Sequence, residues 1–160
     1  IPGIKIHPDY MKVEIDSTAF TPIFTACEER NLFVITHAGF DPVEPNHVHC
    51  SPDMVLRVMD RHPDLKLVVA HAGGFDRERE VLDKLCGENL WFDLSMGYGI
   101  IPKPIAQAII DKHGPDKLLF GSDMPWHRPE WELRLIRSLD LSENDREKIY
   151  FRNALQLLSL

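Results

Sequence analysis

The chain has 160 residues, of which 44% are hydrophobic and 27% charged, a balance typical of a soluble globular protein with a single domain over residues 1–160. The formal net charge is −7 and the basic residues are scattered along the sequence. Both features argue against binding to a phosphate backbone, so we expect no nucleic acid partner. No apolar run approaches the ~20 residues that span a bilayer, and no signal peptide is visible, so we expect no membrane partner.

The three cysteines are odd in number and widely spaced, at Cys27, Cys50 and Cys86. They give neither a disulfide framework nor a C-x-x-C pair. A reducing compartment suits such thiols, so we expect a cytoplasmic protein.

The first part of the chain alternates strand-like and helical patterns. Gly3 to His7 alternates like a strand and Pro8 ends it, and Leu32 to Thr36 is a second β-branched run. Between them, apolar residues recur at helical spacing after a cap at 16–18. Ser51-Pro52 then predicts the start of another helix.

The pattern continues to the end of the chain. The run Leu67 to Val69 is short, apolar and followed by glycine, which is typical of a strand buried on both faces. Further strands are predicted at 90–94 and 117–120. Helical patterns precede and follow them, and Ser142 caps the last helical stretch.

Polar residues follow these predicted strands at regular intervals. They are His7, His37, His71, Ser95 and Asp123, which are 30, 34, 24 and 28 residues apart. Each interval is the length of one strand, one helix and two loops, so the order is β-α repeated five times. An open doubly wound sheet and part of a (β/α)8 barrel both fit that order. The chain lacks a G-x-G-x-x-G motif and an acidic pair after its first strand, and polar strand ends favour the barrel, whose strand ends meet at one mouth.

Two imidazoles and a carboxylate at these strand ends indicate a metal site. His37, His71 and Asp123 offer the ligand types that Zn²⁺ and similar divalent ions prefer. A bound cation lowers the pKa of its water toward about 7, and a carboxylate can accept the proton.

The motifs around these residues resemble those of the amidohydrolase superfamily, in its amidohydrolase-related branch of metal-dependent hydrolases and decarboxylases. The matching segments lie in the family's order and cover nearly the whole chain. They are Gly-Ile-Lys-Ile-His-Pro at 3–8, Thr-His-Ala-Gly at 36–39, Ala-His-Ala-Gly-Gly at 70–74, Asp-Leu-Ser at 93–95, Phe-Gly-Ser-Asp-Met-Pro at 120–125 and Asn-Ala-Leu-Gln-Leu-Leu at 153–158.

The resemblance implies a partial (β/α)8 TIM barrel with strands four to eight and a C-terminal helix. It implies that His37 is a metal ligand, and that His71 is a second ligand or a residue that polarises substrate or orients water. Asp123 would bind the metal and take a proton from its water. Zn²⁺ is the expected ion, with Mn²⁺ or Fe²⁺ as alternatives.

The chain departs from the family at its start. The family's first strand carries an Asp-x-His-x-His motif that supplies two metal ligands, and this chain begins at Ile1-Pro2-Gly3. The H-x-H spelling at 47–49 lies in a loop, and we interpret it as a chance similarity. We therefore expect weak metal binding, and a missing N-terminal segment or a partner chain that covers two open sheet edges and an uncovered sheet face. A homo-oligomer is a further expectation.

Five other residues are candidates for contact with a small-molecule substrate. They are Lys5, His7, His49, Trp126 and His127. Lys5 would point into the barrel if Ile4 and Ile6 point out, and there it would bind an anionic group of the substrate. The alternatives are a carboxylated lysine that bridges two metal ions and a buried ion pair with a neighbouring carboxylate. The alternative for His7 is a cap for the following loop, and for His49 a solvated loop residue. The alternative for Trp126 and His127 is loop packing.

Three functions remain open on the sequence alone. The first is a metal-dependent hydrolase that activates water for attack on an amide, ester or lactone carbonyl. The second is a non-oxidative decarboxylase of an aromatic or unsaturated acid, built on the same site. The third is an inactive fragment that lacks the first-strand ligands.

Overall fold

The computed structural model describes residues 1–159 and contains one parallel five-stranded sheet in the order β1-β2-β3-β4-β5. The chain order of the strands is therefore also their spatial order, as in a segment of a barrel wall. The strands are β1 (Gly3–Ile6), β2 (Phe33–Thr36), β3 (Lys66–Val69), β4 (Trp91–Asp93) and β5 (Leu118–Leu119).

Helices connect the strands, which confirms the five predicted βα units. They are α1 (Pro8–Met11), α2 (Thr21–Glu29), α3 (Pro52–Arg61), α4 (Glu78–Lys84), α5 (Lys103–His113), α6 (Pro129–Ser138), α7 (Glu143–Glu147) and α8 (Asn153–Leu158), with 3₁₀ turns at Thr18–Phe20 and Pro115–Lys117 and a π-helical turn at Lys148–Arg152. Over residues 1–159, every helix is too short or too polar to cross a lipid bilayer.

The main hydrophobic core lies between the sheet and the connecting helices. Val34, Leu67, Phe92 and Leu118 point from successive strands into it and are fully buried. The helices contribute their apolar faces to the same cluster, as the helical spacing of the sequence predicts. This core fixes which side of each strand faces the helices, so the remaining side chains face the barrel interior.

The interior face of the sheet is partly covered. Val68, Trp91 and Leu119 form a second buried cluster with Leu157 of α8, and Ala154 packs against it. The prediction of an uncovered face is therefore wrong for β3 to β5, because the C-terminal helix lies against them.

The β1 side of the interior face is more open. Lys5 is exposed there, and Phe33 and Ile35 are only partly buried. Ile4 and Ile6 belong to the core on the opposite side of β1. The predicted alternation of β1 is therefore confirmed, and Lys5 faces the barrel interior.

Hydrogen bonds to backbone carbonyl oxygens hold the C-terminal segment in place. The side-chain amide of Asn153 donates to the carbonyl oxygens of Pro115 and Leu118, both at 2.7 Å. The amide of Phe120 donates to the carbonyl oxygen of Ile149 at 2.9 Å. Because Asn153 is buried, these bonds fix α8 beside β5.

The strand register brings the polar strand ends to one edge of the sheet. Ile6 pairs with Thr36 and Thr36 with Val69, so His7, His37 and the segment leading to His71 emerge side by side. Gly39 lets the next loop approach, since a Cβ at this position would lie 2.2 Å from the carbonyl oxygen of Phe75.

The contact between α8 and the sheet predicts unequal effects of two substitutions on one helix. Leu157→Ala removes a buried side chain and should lower the free energy of unfolding by about 2–5 kcal/mol. Leu155→Ala truncates a side chain that is 42% exposed, so it should change the free energy of unfolding by less than about 0.5 kcal/mol. Urea unfolding followed by circular dichroism measures both values. Equal midpoints for the two variants would show that α8 does not cover the sheet in solution.

Candidate functional site

A cavity of about 320 Å³ opens at the carboxyl edge of the sheet. Its size suits a small molecule. Of the residues that the sequence analysis singled out, six line it: Lys5, His7, His37, His71, Asp123 and Trp126. The other lining residues are mostly apolar or aromatic: Tyr10, Phe40, Asp41, Pro42, Val43, Phe75 and Met96.

The two central histidines contact each other directly. His37 follows β2 and His71 lies two residues beyond β3, and both are buried. The Nδ1 atom of His37 lies 3.0 Å from the Nε2 atom of His71, with the rings at 65°. One of these nitrogens must donate a proton and the other accept it.

The neighbours of His71 determine which nitrogen donates. The hydroxyl of Ser95 donates to Oδ1 of Asp93, which also accepts the backbone N–H groups of Ser95 and His71. Because its proton is used there, the Ser95 oxygen can only accept from His71 Nδ1, 2.9 Å away. His71 therefore carries its proton on Nδ1, and its Nε2 accepts from Nδ1 of His37.

This hydrogen-bond chain leaves His37 with a free lone pair on Nε2. That atom is buried and has no hydrogen-bond partner within residues 1–159. Burial, assisted by the neighbouring His71 and His7 rings, lowers the pKa of His37 to about 3. His37 is therefore neutral at physiological pH, which is the form that binds a metal ion.

Burial also lowers the pKa of His71, although the carboxylates of Asp93 and Asp123 oppose the shift. Both ring nitrogens of His71 are already bonded to neighbouring side chains. Asp123 lines the cavity from the loop after β5, with a left-handed φ of 59°.

Two buried carboxylates beside His37 were missed by the sequence analysis. Asp9 in α1 is 1% exposed and Asp41 in the loop after β2 is 5% exposed. Their oxygens Oδ2 lie 3.8 Å and 3.7 Å from Nε2 of His37. Their positions two residues after His7 and four after His37 were the available signals, since both follow a predicted strand end.

His49 and His127 do not line the cavity. Nδ1 of His49 lies 3.1 Å from Oδ1 of Asp9, so this ring contacts the buried carboxylate next to His37. Nδ1 of His127 bonds to Glu132, a fully buried residue whose Oε2 accepts the amides of Gly97 and Tyr98 at 3.2 Å and 3.1 Å. Burial raises the pKa of Glu132 against these bonds.

The fold is that of part of a TIM barrel, and its strand-end residues line one cavity at the carboxyl edge of the sheet. The chain belongs to the amidohydrolase family, since the family model described as Amidohydrolase matches residues 1–160. Members of this superfamily are usually metal-dependent enzymes, and a divalent metal is their usual cofactor. No curated protein sequence matches the chain significantly.

Solved structures share the fold at low sequence identity. An uncharacterised TIM-barrel protein from Bordetella bronchiseptica has a TM-score of 0.77 and 21% identity, over 97% of this chain and 57% of that protein. A 5-carboxyvanillate decarboxylase from Sphingomonas paucimobilis has a TM-score of 0.73 and 17% identity, over 100% of this chain and 59% of its own. The corresponding enzyme of Novosphingobium aromaticivorans, solved with manganese and 4-hydroxy-3-methoxy-5-nitrobenzoic acid, has a TM-score of 0.71 and 18% identity, over 100% and 57%.

These matches confirm the partial barrel. The chain spans less than two thirds of the length of each of the three solved structures. The five-stranded sheet of this chain is therefore consistent with part of a barrel wall.

The bond between His127 and Glu132 predicts a large cost for removing the carboxylate. Glu132→Ala leaves His127 and two backbone amides unpaired in the interior and should lower the free energy of unfolding by about 3–5 kcal/mol. The matched control is Glu130→Ala on the same helix. Because Glu130 is exposed, this substitution should change the free energy of unfolding by less than about 0.5 kcal/mol. Chemical denaturation measures both variants, and a mild effect at residue 132 would contradict the buried pairing.

Proposed function

We propose that the chain carries the active site of a metal-dependent hydrolase, which activates water for attack on a carbonyl carbon of a small molecule. The observation that supports this most is the free lone pair on Nε2 of His37, buried in a cavity that Asp123 also lines. A neutral imidazole with an unused nitrogen is a good ligand for Zn²⁺, Mn²⁺ or Fe²⁺.

We assign different roles to the three strand-end residues. His37 would hold the cation through Nε2. His71 has both nitrogens bonded, so we assign it to orienting His37 and to polarising the substrate carbonyl rather than to metal binding. When bound, a divalent cation lowers the pKa of water from 15.7 to about 7.

Asp123 is the proposed proton acceptor. Its side chain faces the cavity from the strand end farthest from β1, and a carboxylate near the reacting water can take its proton and return it to the leaving group. Lys5 faces the same cavity and would bind an anionic group of the substrate. Trp126 and His7 form parts of the wall.

A decarboxylase is the second candidate, and the cavity lining favours it. Phe40 and Phe75 stack at 6.4 Å between ring centres, and Tyr10, Met96 and Trp126 add flat or apolar surface. Such a lining suits an aromatic or unsaturated acid whose carboxylate pairs with Lys5. Several proteins with this fold are aromatic acid decarboxylases. In that reaction the bond to the carboxyl carbon breaks, CO₂ leaves, and the ring carbon takes a proton.

In both cases we propose that turnover requires a complete barrel. The chain spans 55% to 64% of eight solved structures of similar fold, and we propose that three further strands, from the same or a partner chain, pair with the free edges of β1 and β5. The third hypothesis, an inactive fragment, is the outcome if no turnover is found.

Substitution of Asp123 should test the assignment of the proton acceptor. In protein that contains the complete barrel and is loaded with Zn²⁺ or Mn²⁺, Asp123→Asn should lower kcat by about 10²–10⁴-fold, because the general base is lost. Asp60→Asn, an exposed position on α3, is the matched control and should leave kcat unchanged. Equal rates for the two variants would remove Asp123 from the mechanism.

Product analysis should separate the two reactions. Aromatic esters, amides and lactones form one substrate panel, and aromatic carboxylic acids form the other. Mass spectrometry of the products and measurement of released CO₂ report on each. Hydrolysis products without CO₂ support the hydrolase, CO₂ from the acids supports the decarboxylase, and metal-loaded protein without either product supports the inactive fragment.

A further inference from the structure

Two neighbouring loops form the β4–β5 side of the cavity mouth. The β4 loop comprises residues 94–102 and the β5 loop comprises residues 120–128, so each loop follows a strand and precedes a helix. The β4 loop carries Ser95, which bonds to His71 at 2.9 Å, and the β5 loop carries Asp123. The placement of Asp123 relative to His71 therefore depends on how the two loops are held.

One buried carboxylate links both loops to α6. Glu132 lies in the first turn of that helix and is fully buried. Its Oε2 accepts the amides of Gly97 and Tyr98 in the β4 loop, at 3.2 Å and 3.1 Å. Its Oε1 accepts the Nδ1 proton of His127 in the β5 loop. A carboxylate accepts hydrogen bonds on both oxygens at once, so this single side chain holds the two loops together.

The bond to His127 also reaches Asp123 through the backbone. The carbonyl oxygen of Asp123 accepts the amides of Trp126 at 3.0 Å and of His127 at 3.4 Å, so residues 123–127 form one compact turn. The ring of His127 packs edge-on against Trp131 of α6, with 4.6 Å between ring centres. Asp123 has a left-handed φ of 59°, which a residue with a Cβ adopts where its surroundings impose it. The anchored turn supplies that constraint.

The β4 loop comes close enough to α6 for its two bonds because position 97 is a glycine. A Cβ on Gly97 would lie 2.6 Å from Cδ2 of Leu135 and 3.3 Å from Oε2 of Glu132. The preceding residue, Met96, has a left-handed φ of 59° and lines the cavity. Movement of Gly97 away from α6 would therefore displace part of the cavity wall and the neighbouring Ser95.

We propose that Glu132 is a positioning residue, which acts through His127 and the β4 loop amides to keep Asp123 in a fixed place relative to His71. The inference rests on the proposed function, in which Asp123 accepts a proton and His71 polarises the substrate. A buried charged pair adds little stability over apolar side chains of similar volume. Apolar side chains, however, cannot bond to two loops at once, and those bonds define one arrangement of the mouth.

Hydrogen exchange followed by mass spectrometry tests the inference on the chain itself. His127→Phe removes the donor to Oε1 of Glu132 with a ring of similar size and leaves the bonds to Gly97 and Tyr98. Exchange in the β5 loop should become about tenfold faster or more, while the β4 loop and strands β2 and β3 stay within about twofold of the unchanged chain. Glu132→Leu removes all three bonds and should speed exchange in both loops.

The strands and a surface variant provide the controls. Strands β2 and β3 report on global unfolding, because their buried amides exchange when the core opens. Glu130→Leu, at an exposed position of the same helix, should leave exchange in both loops unchanged. An equal increase in the loops and strands, or no increase in either loop, would show that Glu132 contributes stability alone and would overturn the inference. If Glu132→Leu does not fold, the result for His127→Phe decides.

Kinetics of the complete, metal-loaded barrel give a second readout. His127→Phe should lower kcat about 10- to 100-fold and leave KM within about twofold, because a displaced proton acceptor loses much of its effect. In protein that already carries Asp123→Asn, the same substitution should cause no further loss, because it acts through Asp123. Losses that multiply in the double variant would overturn the inference.

The two readouts separate this inference from the proposed function. If the complete barrel has no turnover, the proposed function is wrong, and the exchange pattern of the loops still decides whether Glu132 holds them. If Asp123→Asn lowers kcat and His127→Phe does not, the proposed function stands and the positioning role of Glu132 is wrong.

Discussion

The hydrogen-bond chain from Asp93 through Ser95 and His71 to His37 determines the chemistry of the mouth. The Ser95 hydroxyl donates to Asp93, so the proton of His71 lies on Nδ1 and its Nε2 accepts from Nδ1 of His37. The chain runs across three neighbouring strands and ends at a bare nitrogen lone pair. A buried imidazole is thereby held neutral and aimed into the cavity, which is what a metal ligand requires.

The parallel sheet makes this series of hydrogen bonds possible. Residues far apart in sequence share one level because β1, β2 and β3 pair in register, and each loop leaves the sheet at the same edge. The helix layer and the second cluster around Trp91 hold the strands from both sides. Part of the interior face is therefore already packed in this chain, through contacts made by α8.

The sequence by itself determined the repeating βα order, the positions of the strand ends and the family, because apolar runs, glycines and polar strand ends are local signals. It also placed His37, His71 and Asp123 at one mouth, since parallel strands direct their carboxyl ends to one side. Only the tertiary structure decided how the neighbouring groups pair. It turned His127 toward Glu132 and His49 toward Asp9, and it brought Asp41 beside His7. Such pairings depend on loop paths and on competition for buried hydrogen-bond partners, which spacing along the chain does not encode.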